Sequence, residues 1–137
     1  MKQLLRQSSF LVIAAIFFCL AYFTERMFFP IVENFNVSSI DKFGPHIVIA
    51  GTLNKVRACE LVQDIQAFNK NGERLEVEFL DRNGDKISRP AIKNAAQQFG
   101  PWVIKNGSNE SVSLYSLHKC HGLWTQETKL VTIEDSK

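Results

Sequence analysis

Phe10 to Phe23, FLVIAAIFFCLAYF, is a run of fourteen residues with no charged side chain, preceded by Lys2 and Arg6. A helix apolar on every face has no polar side to give to water, so the surface of a soluble domain does not suit it. Fourteen helical residues rise about 21 Å, short of the roughly 30 Å hydrocarbon layer of a bilayer. The flanks supply the rest. Leu4 and Leu5 extend the apolar character backward past Arg6, whose long stem can snorkel toward headgroups, and Met27, Phe28 and Phe29 extend it forward past Glu25 and Arg26. A helix from Lys2 to Phe29 spans, and Pro30 is a natural stop.

Residues 1–29 are therefore expected to be a signal anchor, with the lipid bilayer as partner of residues 4–29. The basic residues before the span place the N-terminus in the cytoplasm and the rest of the chain outside. Two alternatives share this physics. Cys19-Leu20-Ala21 puts small residues on either side of Leu20, which suits cleavage before Tyr22, although Tyr22 and Phe23 are bulky for such a site. Lipid attachment at Cys19 would set Phe18 where a small residue is wanted.

Location matters more than size for the net charge of +2: sixteen Lys and Arg face fourteen Asp and Glu, and Lys2 and Arg6 account for the excess. Beyond the anchor the chain is neutral and its charges are dispersed. A nucleic-acid partner would require a basic face or stripe, and none is legible.

Residues 30–44 have no sustained period and read as a connector, with room for a short first strand. From residue 45 to 134 the pattern is that of short strands. His46 to Leu53, HIVIAGTL, is rich in β-branched residues with Gly51 as a bulge candidate. Glu60 to Phe68 ends at a turn in Asn71-Gly72, and Arg74 to Asp81, RLEVEFLD, alternates cleanly before a second turn at Asn83-Gly84. Lys86 to Ser88 reads as a short return, Ala91 to Gln98 as a helical turn or a loop closed by Gly100-Pro101, and Trp102 to Ile104, Ser111 to Leu117 and Thr128 to Ile133 as further strands. Residues 135–137 form a polar tail. Six or seven short strands with little helix predict a mainly β domain, a small antiparallel β-sandwich of immunoglobulin-like type behind one transmembrane helix; a small barrel is the rival.

Cys19 falls in the membrane segment, whereas Cys59 and Cys120 fall outside it. In an oxidising space such a pair is a disulfide by default. Closing a loop of about sixty residues stabilises by something near 3 to 4 kcal/mol in the chain-entropy model. The spacing is not that of an antibody domain, because no Trp follows Cys59 at the strand distance and His118 stands two before Cys120 where a Tyr is common.

Leu117 to Trp124, LHKCHGLW, holds the densest set of chemically capable side chains. His118 and His121, joined by His46, offer nitrogen ligands suited to copper or zinc. Against a metal, a disulfide removes both thiolates, and two histidines three apart in extended chain point to opposite sides. Asp81, Asn83 and Asp85 resemble the opening of a calcium loop, but Gly84 comes early and a hairpin turn accounts for the same residues. Trp102 and Trp124, each following a Gly-containing turn, are the candidates for contact with a partner; the alternative for each is a place capping the core. No catalytic motif is present, so no enzyme activity and no cofactor are expected.

Three stretches, GTLNKVRACELV around Cys59, Gly100-Pro101-Trp102, and CHGLWTQET from Cys120 to Thr128, resemble an uncharacterised family of small single-span proteins of bacteria and their phages. Gly122 departs from that family's pattern, which carries Pro. The resemblance implies a domain held in the periplasm on the bacterial inner membrane, paired cysteines, and a host or phage protein acting in the envelope. The expected role is thus an extracytoplasmic interaction or structural module that binds an envelope protein, with a metal-binding or redox accessory domain as the alternative.

Overall fold

The computed structural model describes residues 2–81, 83–108 and 110–134, without the side chains of residues 2–8; the polar tail of residues 135–137 lies outside this range. The chain divides into two compact units, Met1–Pro30 and Ile31–Lys137.

The first unit is one helix, α1, Lys2–Phe28. Its stretch Ser9–Phe28 is 20 residues long and apolar enough to cross a membrane, and most of its large side chains from Phe10 to Phe28, Tyr22 apart, are exposed. Twenty residues rise about 30 Å, matching a hydrocarbon layer. The Phe29 amide makes the last helical bond, to the Glu25 carbonyl at 3.0 Å; Pro30 has no amide to continue the ladder.

The second unit is an antiparallel β-sandwich. In chain order its strands are β1 (Val32–Phe43), β2 (His46–Lys55), β3 (Glu60–Leu61), β4 (Gln66–Asn69), β5 (Arg74–Leu75), β6 (Val77–Leu80), β7 (Lys86–Ile87), β8 (Ala96–Ile104), β9 (Val112–Lys119) and β10 (Gln126–Ile133). One sheet runs β1-β2-β8-β6-β7 and the other β10-β9-β4-β5, with β3 also paired to β9. Taking β1, β2, β8 and β6 as A, B, E and D, and β10, β9, β4 and β5 as G, F, C and C′, this is the immunoglobulin strand order.

Alternation explains the core. Along β2, Ile47, Ile49 and Leu53 turn inward, and along β9, Val112 and Leu114 do the same from the facing sheet. An aromatic cluster fills one side: Phe99 stacks on Phe35 and contacts Trp102, each with centroids 4.5 Å apart, and Phe79 meets Trp102 edge-on at 5.6 Å.

Four expectations change. Glu60 to Phe68 is not one strand but two, β3 and β4, with residues 62–65 between them outside any strand. Residues 30–44 are no connector, because Val32–Phe43 pairs with β2 along its length and is an edge strand. Its side chains are largely exposed, which is why no alternating period marks it in sequence. Arg74 to Asp81 is not one strand. Leu75 pairs with β4 in one sheet and Val77 with β8 in the other, so the chain changes sheets at Glu76.

Finally, Gly100-Pro101 does not close a segment but lies inside β8, with a cis peptide bond. The β2–β8 register shifts there, between Ile49↔Trp102 and Gly51↔Phe99. A bulge of this kind leaves a residue out of the ladder and so accommodates a proline without an amide. Gly100 sits at φ +92°, and a Cβ on it would come within 2.6 Å of the Ile49 carbonyl oxygen.

Candidate functional site

The chemically unusual part of the domain is the end that carries the disulfide. Cys59 and Cys120 are bonded, with Cα atoms 4.3 Å apart across 61 residues of sequence. Cys59 precedes β3 and Cys120 follows β9, and β3 pairs with β9 through Glu60↔Lys119. The bridge therefore ties the start of one strand to the end of its neighbour in the same sheet; it does not join the two sheets.

Just inside this bridge the inward face of β9 changes character. Val112 and Leu114 are followed, at the same period of two, by Ser116 and His118, which are 1% and 0% exposed. Cross-strand partners repeat the change, since Thr128 lies opposite Ser116 and Gln126 opposite His118. Residues directly opposite in an antiparallel pair share a face at about 5 Å. The result is a two-by-two patch of polar side chains on a buried sheet face. The Ser116 and Thr128 hydroxyls, the Gln126 carbonyl oxygen and both ring nitrogens of His118 have no protein hydrogen-bond partner among the described residues.

A cation completes this end. Lys55 closes the inward row of β2 and is only 6% exposed. Its ammonium donates to the Cys59 carbonyl, and burial lowers its pKa. For His118 burial is again the larger cause, followed by the Lys55 charge, and together they push its pKa down to about 4. At neutral pH the His118 ring is uncharged.

The other histidines lie elsewhere. His46 opens β2, and its Nδ1 accepts from the Asn106 amide at 3.4 Å; the ten-residue strand between it and Lys55 puts about 30 Å between the two ends. His121 packs edge-on against Trp124 at 4.4 Å and accepts from the Leu123 amide. The three histidines therefore do not converge, and among the described residues no group of three His, Cys, Asp or Glu is placed to hold a metal ion. Asp81 accepts hydrogen bonds from the Asn83 and Asp85 amides as a turn former does. Of the two tryptophans, Trp102 is 2% exposed within the aromatic cluster, the core position weighed as its alternative. Trp124 is half-buried on the loop after Cys120.

A surface ion network also lies across the first sheet. Lys105 contacts Glu76 at 2.9 Å and Glu78 at 2.8 Å, and Lys86 contacts Glu78 at 2.7 Å. Hydrogen bonds from Lys105 and then Lys86 hold the Glu78 pKa near 2. Both carboxylates have lysine partners, an arrangement that holds Glu78 ionised at neutral pH rather than ready to give up a proton.

Lys55, Ser116, Gln126 and Thr128 were missed in sequence. A signal exists for two of them: once β2 and β9 are aligned by their apolar alternation, Lys55 and Ser116, like His118, are polar residues at inward positions. No family model, curated protein or solved structure matches the chain.

Proposed function

We propose that this chain is a membrane-anchored, extracytoplasmic interaction module that binds an envelope protein and does no catalysis. In this reading α1 crosses the bacterial inner membrane once, with the N-terminus cytoplasmic and the sandwich periplasmic. The observation that carries it is the pairing of an exposed, 20-residue apolar helix with a disulfide in the domain that follows, since stable structural disulfides belong to oxidising compartments. The sequence resemblance extends the proposal to a phage-encoded protein acting on its host's envelope.

Cross-linking in intact membranes followed by mass spectrometry tests the partner. The expected result is a reproducible envelope protein linked to surface lysines of the domain, and linkage to lipid-embedded bystanders alone would overturn it. The copper, zinc or redox alternative draws no support from the separated histidines. Saturable heat on titrating the full chain with either metal would restore it.

A further inference from the structure

At the end of the sandwich opposite the disulfide, where β2 begins, the core is left open. Ile40 and Lys42 lie opposite Ile49 and Ile47 in the β1–β2 register, and residues directly opposite in an antiparallel pair share a face. Both therefore belong to the inner side of the sheet, where Ile47 and Ile49 are buried. Yet Ile40 is 48% exposed, and Lys42 is exposed as well. Val37, earlier on the same strand, still packs against the core. The cover over β1 stops between Val37 and Ile40.

A cavity of about 350 Å³ fills the gap, with Ile40, Ile47 and Ile133 as its apolar walls. That volume is at the low end of the roughly 300 to 1,000 Å³ of ligand pockets. Glu110, Glu134 and Lys42 also line it, two carboxylates against one ammonium. The loop carrying Glu110 is fixed in place, since the Ser108 amide donates to the Pro45 carbonyl at 3.2 Å and the Glu110 amide to the Gly107 carbonyl at 3.5 Å. Glu110 Oε2 is buried and has no hydrogen-bond partner among the described residues. A buried carboxylate oxygen without a donor is costly, and a cationic donor from outside removes that cost.

The position of the cavity bears on what enters it. β1 and β10 are edge strands of opposite sheets, each with a sheet neighbour on one side only. A strand edge offers backbone donors and acceptors to an extended chain, and pockets beside it select the side chains.

We propose that this cavity receives an extended basic segment of the partner protein, with an aliphatic side chain seated between Ile40, Ile47 and Ile133 and an adjacent lysine or arginine donating to Glu110. The proposal rests on the interaction-module reading and adds to it the place of contact and the chemistry of the contacting segment.

Full-length protein in detergent, with its isoleucine methyl groups labelled for NMR, provides the test. It is titrated with acetyl-Leu-Lys-Leu-amide and, separately, with acetyl-Leu-Glu-Leu-amide. Saturable shifts of the Ile40, Ile47 and Ile133 methyls are expected with the lysine peptide, and the glutamate peptide is expected to bind more weakly by about tenfold or more. Glu110→Gln should weaken the lysine peptide by about tenfold, and an unmoved signal from Ile65, buried in the core, shows that this variant is folded. No response, an equal response to both peptides, or unchanged affinity in Glu110→Gln would overturn the site. Shifts of the same methyls with protein concentration alone would assign the cavity to a second copy of the chain and overturn it too. If the membrane cross-links to an envelope protein form while the peptides give no response, the site falls and the interaction module stands; without those cross-links both fall.

Discussion

Acidification should destabilise the domain through His118, in a pH window that belongs to this residue. In the unfolded chain a histidine titrates near 6.5, and in the fold His118 is held down to about 4. Above pH 6.5 the ring is neutral in both states, and the stability is fully present. As pH falls below 6.5 the unfolded chain takes up a proton that the folded chain refuses, so the unfolded state gains. The loss grows by about 1.4 kcal/mol per pH unit and reaches about 3 kcal/mol once pH passes the folded value near 4. Glu78 contributes a second, lower window, because its depression from 4.5 to about 2 acts only below pH 4.5. Urea unfolding of the full chain in detergent, followed by Trp102 emission at steps between pH 7.5 and 4.5, separates the two. His118→Leu should abolish most of the slope in the upper window, and the half-buried control His121→Gln should keep it. A wild-type stability that is flat from pH 6.5 to 4.5, or a slope that survives His118→Leu, would refute the buried neutral ring.

Removing the bridge with Cys59→Ser and Cys120→Ser together should cost about 4 kcal/mol, the chain-entropy value for a 61-residue separation, read as a shift in urea midpoint and checked by loss of the mobility difference on non-reducing gels. Trp102→Ala opens a cavity in the aromatic cluster and should cost about 3 to 5 kcal/mol in the same assay. Gly51→Ala drives a Cβ into the Asn36 carbonyl oxygen; β1 must move off β2, and hydrogen exchange along Val32–Phe43 should accelerate with a destabilisation of about 2 kcal/mol or more. Lys55→Met removes the charge that helps depress His118, so the His118 pKa, followed by NMR of its ring protons, should rise.

What could be read in sequence follows from what alternation reports. Leu75, Val77 and Phe79 all pack on or in the core, so RLEVEFLD shows its period whether the strand stays in one sheet or crosses between two. The period names the inner face and says nothing of the neighbour. That is why the sandwich was legible while the switch at Glu76 was not. β1 was hidden for the opposite reason: an edge strand with two bulges and mostly exposed side chains carries no period at all. Gly100-Pro101 reads locally as a boundary because proline removes a ladder donor, and only the pairing with β2 reveals a bulge that absorbs it. The disulfide was legible from compartment and count. The polar patch as a whole was not, since Gln126 and Thr128 are ordinary residues until register sets them opposite His118 and Ser116.

The proposed role requires the sandwich to lie across the membrane from the N-terminus. A dual reporter fused after Lys137 in a bacterial host measures this directly, with a phosphatase that is active only in the periplasm and a fluorescent protein that matures only in the cytoplasm. The expected result is phosphatase activity without fluorescence. Fluorescence without phosphatase activity would place the domain inside, and the anchor orientation, the oxidising compartment and the envelope partner would be contradicted together.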